Sequence, residues 1–136
     1  MNTFSKTSLS RLETCHPLLQ TLFCEILKTD DCTIICGNRG EKEQNEAYSA
    51  GKSGVQFPCS RHNAYPSLAV DVAPYPIDWA DTGRFYMFAG KVKMIASQMI
   101  IGIRYGGDWD GDSFTKDQKF NDLVHFELCN YSIEQE

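Results

Sequence analysis

One aspartate sits where this chain can least tolerate it. Leu68-Ala69-Val70-Asp71-Val72-Ala73 is an apolar run that stops at Pro74 and Pro76. Its length, its alternation and its proline stop predict a buried strand over 68–73. A carboxylate inside such a run is expensive to bury unless it is paired or binds a metal. Any fold of this chain must therefore bring partners to Asp71 in the middle of a core strand.

The flanking segments predict what surrounds that strand. Ser10 followed by Glu13 reads as a capping box. Leu12, Leu19, Leu22, Phe23, Ile26 and Leu27 recur at helical spacing, with a break or a fresh helix start at Pro17. Thr33-Ile34-Ile35-Cys36 is a short β-branched run closed by Gly37, a predicted strand. Glu41 to Ala50 reads as a polar helix ended by Gly51. A Gly/Ser/Pro-rich loop over 52–61 follows.

The longest helical pattern runs from Arg84 to Ile101, with Phe85, Phe88, Val92, Ile95 and Met99 on one face and Gly102 as the stop. Ile103-Arg104-Tyr105 is a further strand, turning at Gly106-Gly107. An acidic loop from Asp108 to Asn121 leads to a last strand over 123–128. The expected class is α+β: a small, mainly antiparallel sheet with helices packed on one side. The 136 residues hold no repeat or linker, so one domain over 1–136 is expected, large enough to need no disulfide staples.

Eighteen acidic against thirteen basic residues give a net charge of -5. No basic stripe interrupts this balance, which argues against nucleic acid as a partner. No apolar run is long enough to span a membrane. The N-terminus, Met-Asn-Thr-Phe-Ser-Lys, does not read as a secretory signal. The six cysteines are then expected as free thiols, with Cys24, Cys32 and Cys36 as small core hydrophobes. Cys32 and Cys36 are four apart, but no second pair completes a zinc knuckle.

Two of the three histidines stand near carboxylates. His62 precedes Asp71 by nine positions, and His125 lies in Leu123-Val124-His125-Phe126-Glu127-Leu128. Two imidazoles and one carboxylate leave a fourth tetrahedral position for water, the ligand pattern of catalytic zinc. Spacing alone leaves open that Asp71 caps a turn and the histidines make ordinary hydrogen bonds. Asp122 is a candidate general base; Glu127, on the same strand face as His125, is its rival, and one of the two would orient a histidine N–H. Arg39 is a candidate for holding an oxyanion, or else a solvated loop residue.

Four motifs in order carry a family resemblance: Ser60-Arg61-His62; Ser67-Leu68-Ala69-Val70-Asp71-Val72-Ala73-Pro74; Arg104-Tyr105-Gly106-Gly107-Asp108-Trp109; and Asp122-Leu123-Val124-His125-Phe126-Glu127. Gly37-Asn38-Arg39-Gly40 with Gln44, Tyr48 and Gly51 fits as well. Over about residues 8 to 130 the chain resembles the zinc D-Ala-D-Ala carboxypeptidase and L-alanyl-D-glutamate endopeptidase family, in its phage endolysin branch. The resemblance implies zinc on His62, Asp71 and His125, Asp122 as catalytic acid/base, Arg39 facing the scissile carbonyl, and the fold shared with the Hedgehog signalling domain. Many relatives space the first two ligands by seven residues rather than nine; here Asn63 to Pro66 form a longer turn.

Asp108, Asp110 and Asp112 alternate like the first ligands of a calcium loop, and some phage relatives bind calcium nearby. Against this, Ser113 replaces the glycine of position six and Lys119 the glutamate of position twelve. Trp79 and Trp109 are candidates for lining a peptide groove or for packing their own loops. His16, beside Pro17, is expected to be structural.

The expected function is zinc-dependent cleavage of the L-Ala–D-Glu bond in peptidoglycan stem peptides by a monomeric endolysin. It would accumulate in the host cytoplasm until a membrane lesion released it to the wall. The rivals are D-Ala-D-Ala carboxypeptidase action and a binding domain without turnover.

Overall fold

The computed structural model describes residues 1–118 and 120–129; Lys119 and the end of the expected 1–136 domain, residues 130–136, lie outside the described residues. Four α-helices and four strands follow in the order α1 (Lys6–Leu12), α2 (Pro17–Leu27), β1 (Cys32–Cys36), α3 (Glu41–Ser49), β2 (Ala69–Pro74), α4 (Thr82–Gln98), β3 (Ile103–Tyr105) and β4 (His125–Leu128). The strands form one antiparallel sheet in the order β1-β2-β4-β3. The α+β expectation holds.

Pleating divides the sheet into two faces. On one, Ile34, Val70, Val72, Phe126 and Leu128 are buried against Leu22, Phe23 and Ile26 of α2 and Phe88 and Val92 of α4. The Phe126 ring meets Phe23 edge-on at 5.5 Å and Phe88 at 6.2 Å. Each such side chain contributes about 1.5–3 kcal/mol by leaving water, so this face holds the domain together. Among the described residues, no helix is long and apolar enough to cross a membrane.

The first helix begins earlier than its sequence suggests. Its N-cap is Ser5, whose hydroxyl accepts the Ser8 amide at 3.1 Å. Ser10 lies inside the helix, so the Ser10–Glu13 capping box is not formed. Ser8 and Arg11 face β1 instead: the Ser8 hydroxyl accepts the Ile34 amide and Arg11 donates to the Ile34 carbonyl, both at 3.1 Å. These bonds satisfy backbone groups that an edge strand would otherwise leave open. Pro17 starts α2, and His16 caps it through Nδ1, confirming a structural role. Cys24 is exposed rather than in the core, because it falls on the outer stripe of α2.

The long helix also ends before its expected stop. Ile100 takes a left-handed backbone with φ 58°, the Ile101 amide reaches back to Ala96 and the Ile100 amide to Ser97. This is a Schellman motif closed by a β-branched residue where glycine is usual.

Candidate metal centre

The second sheet face carries the polar residues. Strand register places Cys36, Asp71 and His125 side by side in one row across β1, β2 and β4. The next row holds Ala69, Glu127 and Arg104. Cys36 reaches this face through an irregularity: the register shifts between Ile34 and Cys36, a β-bulge. Strict alternation would have kept Cys36 on the face of Ile34, where the sequence reading put it. The extra residue turns it over.

Asp71 Oδ1 lies 3.1 Å from His62 Nε2 and 3.4 Å from His125 Nδ1. The two rings stand edge to face with centroids 5.1 Å apart. Both histidines thus approach the same carboxylate oxygen. Asp71 belongs to two sets of potential ligand atoms, each within 4.8 Å: Cys36 with His62, and Asp122 with His125. The histidines fall in different sets, with Asp71 common to both.

His62 arrives from a different element. Ser60 caps the 3-10 turn Arg61–Asn63 by accepting the His62 amide, and Asn63 returns a bond to the Ser60 amide. The turn after His62 is held from the end of β1, where Asn38 Nδ2 donates to the Ala64 carbonyl at 2.8 Å. Each histidine is oriented by its far nitrogen. His62 Nδ1 donates to the Gly37 carbonyl at 2.7 Å, so its Nε2 presents a lone pair in the neutral ring. His125 Nε2 donates to Glu127 Oε1 at 2.8 Å and leaves Nδ1 facing Asp71. Such outer bonds fix the tautomer of a ligating imidazole.

The two carboxylate candidates separate by position. Glu127 is committed to the outer nitrogen of His125 and to two arginines: its Oε2 accepts from Arg61 Nε at 2.7 Å and Arg104 Nη2 at 3.0 Å. Asp122 Oδ2 lies 3.9 Å from the inward nitrogen, Nδ1. Its loop is held by the Asp122 amide to the Gly106 carbonyl and the Gly106 amide to the His125 carbonyl. A Cβ at position 106 would collide with the Asp122 carbonyl, so only glycine permits this approach.

Arg39 is drawn inward. Its guanidinium donates to Asp71 Oδ2 at 3.4 Å and to Gln44 Oε1 at 2.9 Å. Gln44 is fully buried and satisfied on every side: its amide also takes Asn63 Nδ2 and donates to Ser53 Oγ and the Val55 carbonyl. It ties α3 to Arg39 and to the loop over 52–55. The sequence carries no clear sign of this, since Gln44 is one of several uncharged residues on that helix.

The electrostatics call for positive charge at the centre. Burial opposes charging His62, but the neighbouring Asp71 carboxylate outweighs it and pushes the imidazole pKa up to about 10. Burial likewise favours the neutral acid at Asp71, yet the charge of His62 and hydrogen bonds from both histidines hold it well below the usual carboxylate range. Burial pushes Asp122 up to about 6, with the charge of Asp71 adding to it. A cation bound by these donors would meet the same field. A tetrahedral zinc ion spaces its ligand atoms roughly 3.3 Å apart, given bonds of about 2.0–2.1 Å. The two histidine–carboxylate separations fit that spacing.

The centre opens into a cleft of about 560 Å³ whose lining includes Arg39, Arg104, Trp109, Phe120 and Asp122. Trp109 belongs to it, and its ring lies 5.2 Å from that of His125. Trp79 does not; it stacks on Phe85. Asp108, Asp110 and Asp112 gather within 4.8 Å. Asp108 is buried and paired with Lys93 and the Ser113 amide, while the other two are exposed. Exposed acidic groups often cluster without an ion, and the calcium expectation gains no support.

Comparison with known proteins identifies the family. A profile of the family described as phage L-alanyl-D-glutamate peptidase matches residues 1–129. Among solved structures, the L-Ala D-Glu endopeptidase ChiX of Serratia marcescens matches with a TM-score of 0.72 at 26% identity, over 92% of this chain and 88% of that one. The match runs through every strand of the sheet and the loops that build the cleft, and the chain belongs to the phage L-alanyl-D-glutamate peptidase family.

Proposed function

We propose that this peptidase is zinc-dependent and cuts the L-Ala–D-Glu bond of peptidoglycan stem peptides, with His62, Asp71 and His125 as ligands. The observation that carries this reading is the convergence of both inward histidine nitrogens on Asp71 Oδ1, each ring fixed by a bond from its far side. The family and the ChiX match support an endopeptidase over a D-Ala-D-Ala carboxypeptidase.

Zinc, when bound, lowers the pKa of water towards about 7 and polarises a carbonyl. Asp122 takes the proton of the attacking water and hands it to the leaving amine of D-Glu. A carboxyl raised to about 6 is well matched to both transfers near neutral pH. Arg39, braced by Gln44, places positive charge where the oxyanion develops. Glu127 keeps His125 oriented and takes no part in proton transfer. No calcium is assigned to the acidic loop. In a phage setting, the enzyme would reach the wall after release from the host cytoplasm, acting as a monomer.

Mass spectrometry of digested sacculi tests this. The expected products are glycan-linked L-Ala and a peptide beginning with D-Glu, lost on chelation and restored by zinc. Release of terminal D-Ala instead would overturn the bond assignment. Asp122→Asn should keep its zinc and lose about 10²–10⁴-fold in rate; wild-type turnover in that variant would remove Asp122 from the mechanism.

A further inference from the structure

The cleft carries charge opposite to that of the chain. Arg39, Lys52, Arg61 and Arg104 line it against Asp122 and Glu127, although the chain as a whole has a net charge of -5. Two of these cations share one anion, since Arg61 and Arg104 both bind Glu127 Oε2. Both guanidiniums stand beside the proposed metal centre.

Arg104 is the more exposed of the two. Its guanidinium is held by Glu127 on one side and lies over the Trp109 ring, 5.3 Å from the centroid. Its side chain is still 48% exposed. A guanidinium offers five donors in a planar fork, and Glu127 occupies only part of it. Lys52 lines the same cleft and forms no ion pair among the described residues.

We propose that Arg104, assisted by Lys52, binds the free α-carboxylate of the D-Glu residue being released, and so selects stem peptides in which that group is not amidated. This rests on the endopeptidase reading above. In a stem peptide, D-Glu continues the chain through its γ-carboxyl. Its α-carboxylate then hangs on the carbon that bears the scissile nitrogen. An anion so close to the reacting bond needs a cation near the metal centre. Arg104 meets this need: it is cross-strand from Glu127, which in turn holds His125. Amidation to D-isoglutamine would replace a charge-assisted bond by a neutral one and set an amide N–H against a donor.

The test compares kcat/KM of the zinc-loaded full chain on two muramyl peptides that differ only in D-Glu against D-isoglutamine. Wild type should favour D-Glu on the order of tenfold to a hundredfold. Arg104→Gln should lose rate mainly on the D-Glu substrate, collapsing the preference to about twofold or threefold. Lys52→Gln should narrow it partway. Equal rates on both peptides in wild type would overturn the proposal while leaving the endopeptidase reading intact. So would an Arg104→Gln variant that slows both substrates alike, which marks a role through Glu127 only. Should Arg104→Gln lose its zinc, an unchanged preference in Lys52→Gln overturns the proposal. Cleavage of neither peptide by wild type would bring down the endopeptidase reading and this inference together.

Discussion

The two faces of one small sheet are built on opposite terms. The face of Val70, Val72, Phe126 and Leu128 meets two helices through apolar contact alone. The face of Asp71, His125 and Glu127 is equally buried, yet is held by ion pairs and hydrogen bonds. Neighbouring residues on the same strand thus contribute to different properties. Stability resides on the first face, and the proposed chemistry on the second.

That division can be tested by substitution. Phe126→Ala should cost about 3–5 kcal/mol in unfolding free energy, whether or not zinc is present. Denaturant titration with and without chelator checks this, and a loss confined to the zinc-loaded protein would break the division. Asp71→Asn, one residue position across the sheet from the core face, should act the other way. Zinc should stabilise the wild type by about 4 kcal/mol at a thousand times its Kd. Thermal melts should show that gain in the wild type and not in the variant.

A finer cut lies within the polar face itself. Glu127→Gln removes the anion that orients His125 but leaves every proposed ligand in place. Its zinc affinity should fall about 10–100-fold by competition with a chelating dye. An unchanged affinity would mean that Glu127 serves only the arginines. The smallest effect belongs to a site on neither face. Ile100→Gly relieves the left-handed strain at the end of α4 and should raise stability by about 1 kcal/mol, without altering turnover.

The core face was legible because it obeys one rule, alternation. Val70 and Val72, Phe126 and Leu128 point inward wherever period two is kept. Asp71 was legible for the converse reason, as the residue that the apolar run could not explain. The proposed ligands His62 and His125 stood out by scarcity, since only three histidines exist to choose from. What the sequence hid was non-local. Strand position alone could not rank Asp122 and Glu127, because the ranking depends on which nitrogen of His125 each approaches. Gln44 is one polar residue among many until its four partners converge from three segments. The local start of α1 was misread because Ser5 and Ser10 are equally good caps, and only contact with β1 decides between them.

The bulge in β1 has a consequence for how the domain tolerates change. Residues before it follow the parity of the core, and residues after it follow the parity of the site. The two stretches are geared separately. A one-residue slip upstream could be absorbed at Ile35 without rotating Cys36, Gly37 and Arg39 away from the cleft. Removing Ile35 would merge the gears, and Gly37 could then no longer offer its carbonyl to His62. A single surplus residue thus acts as the clutch between the part that folds and the part that reacts.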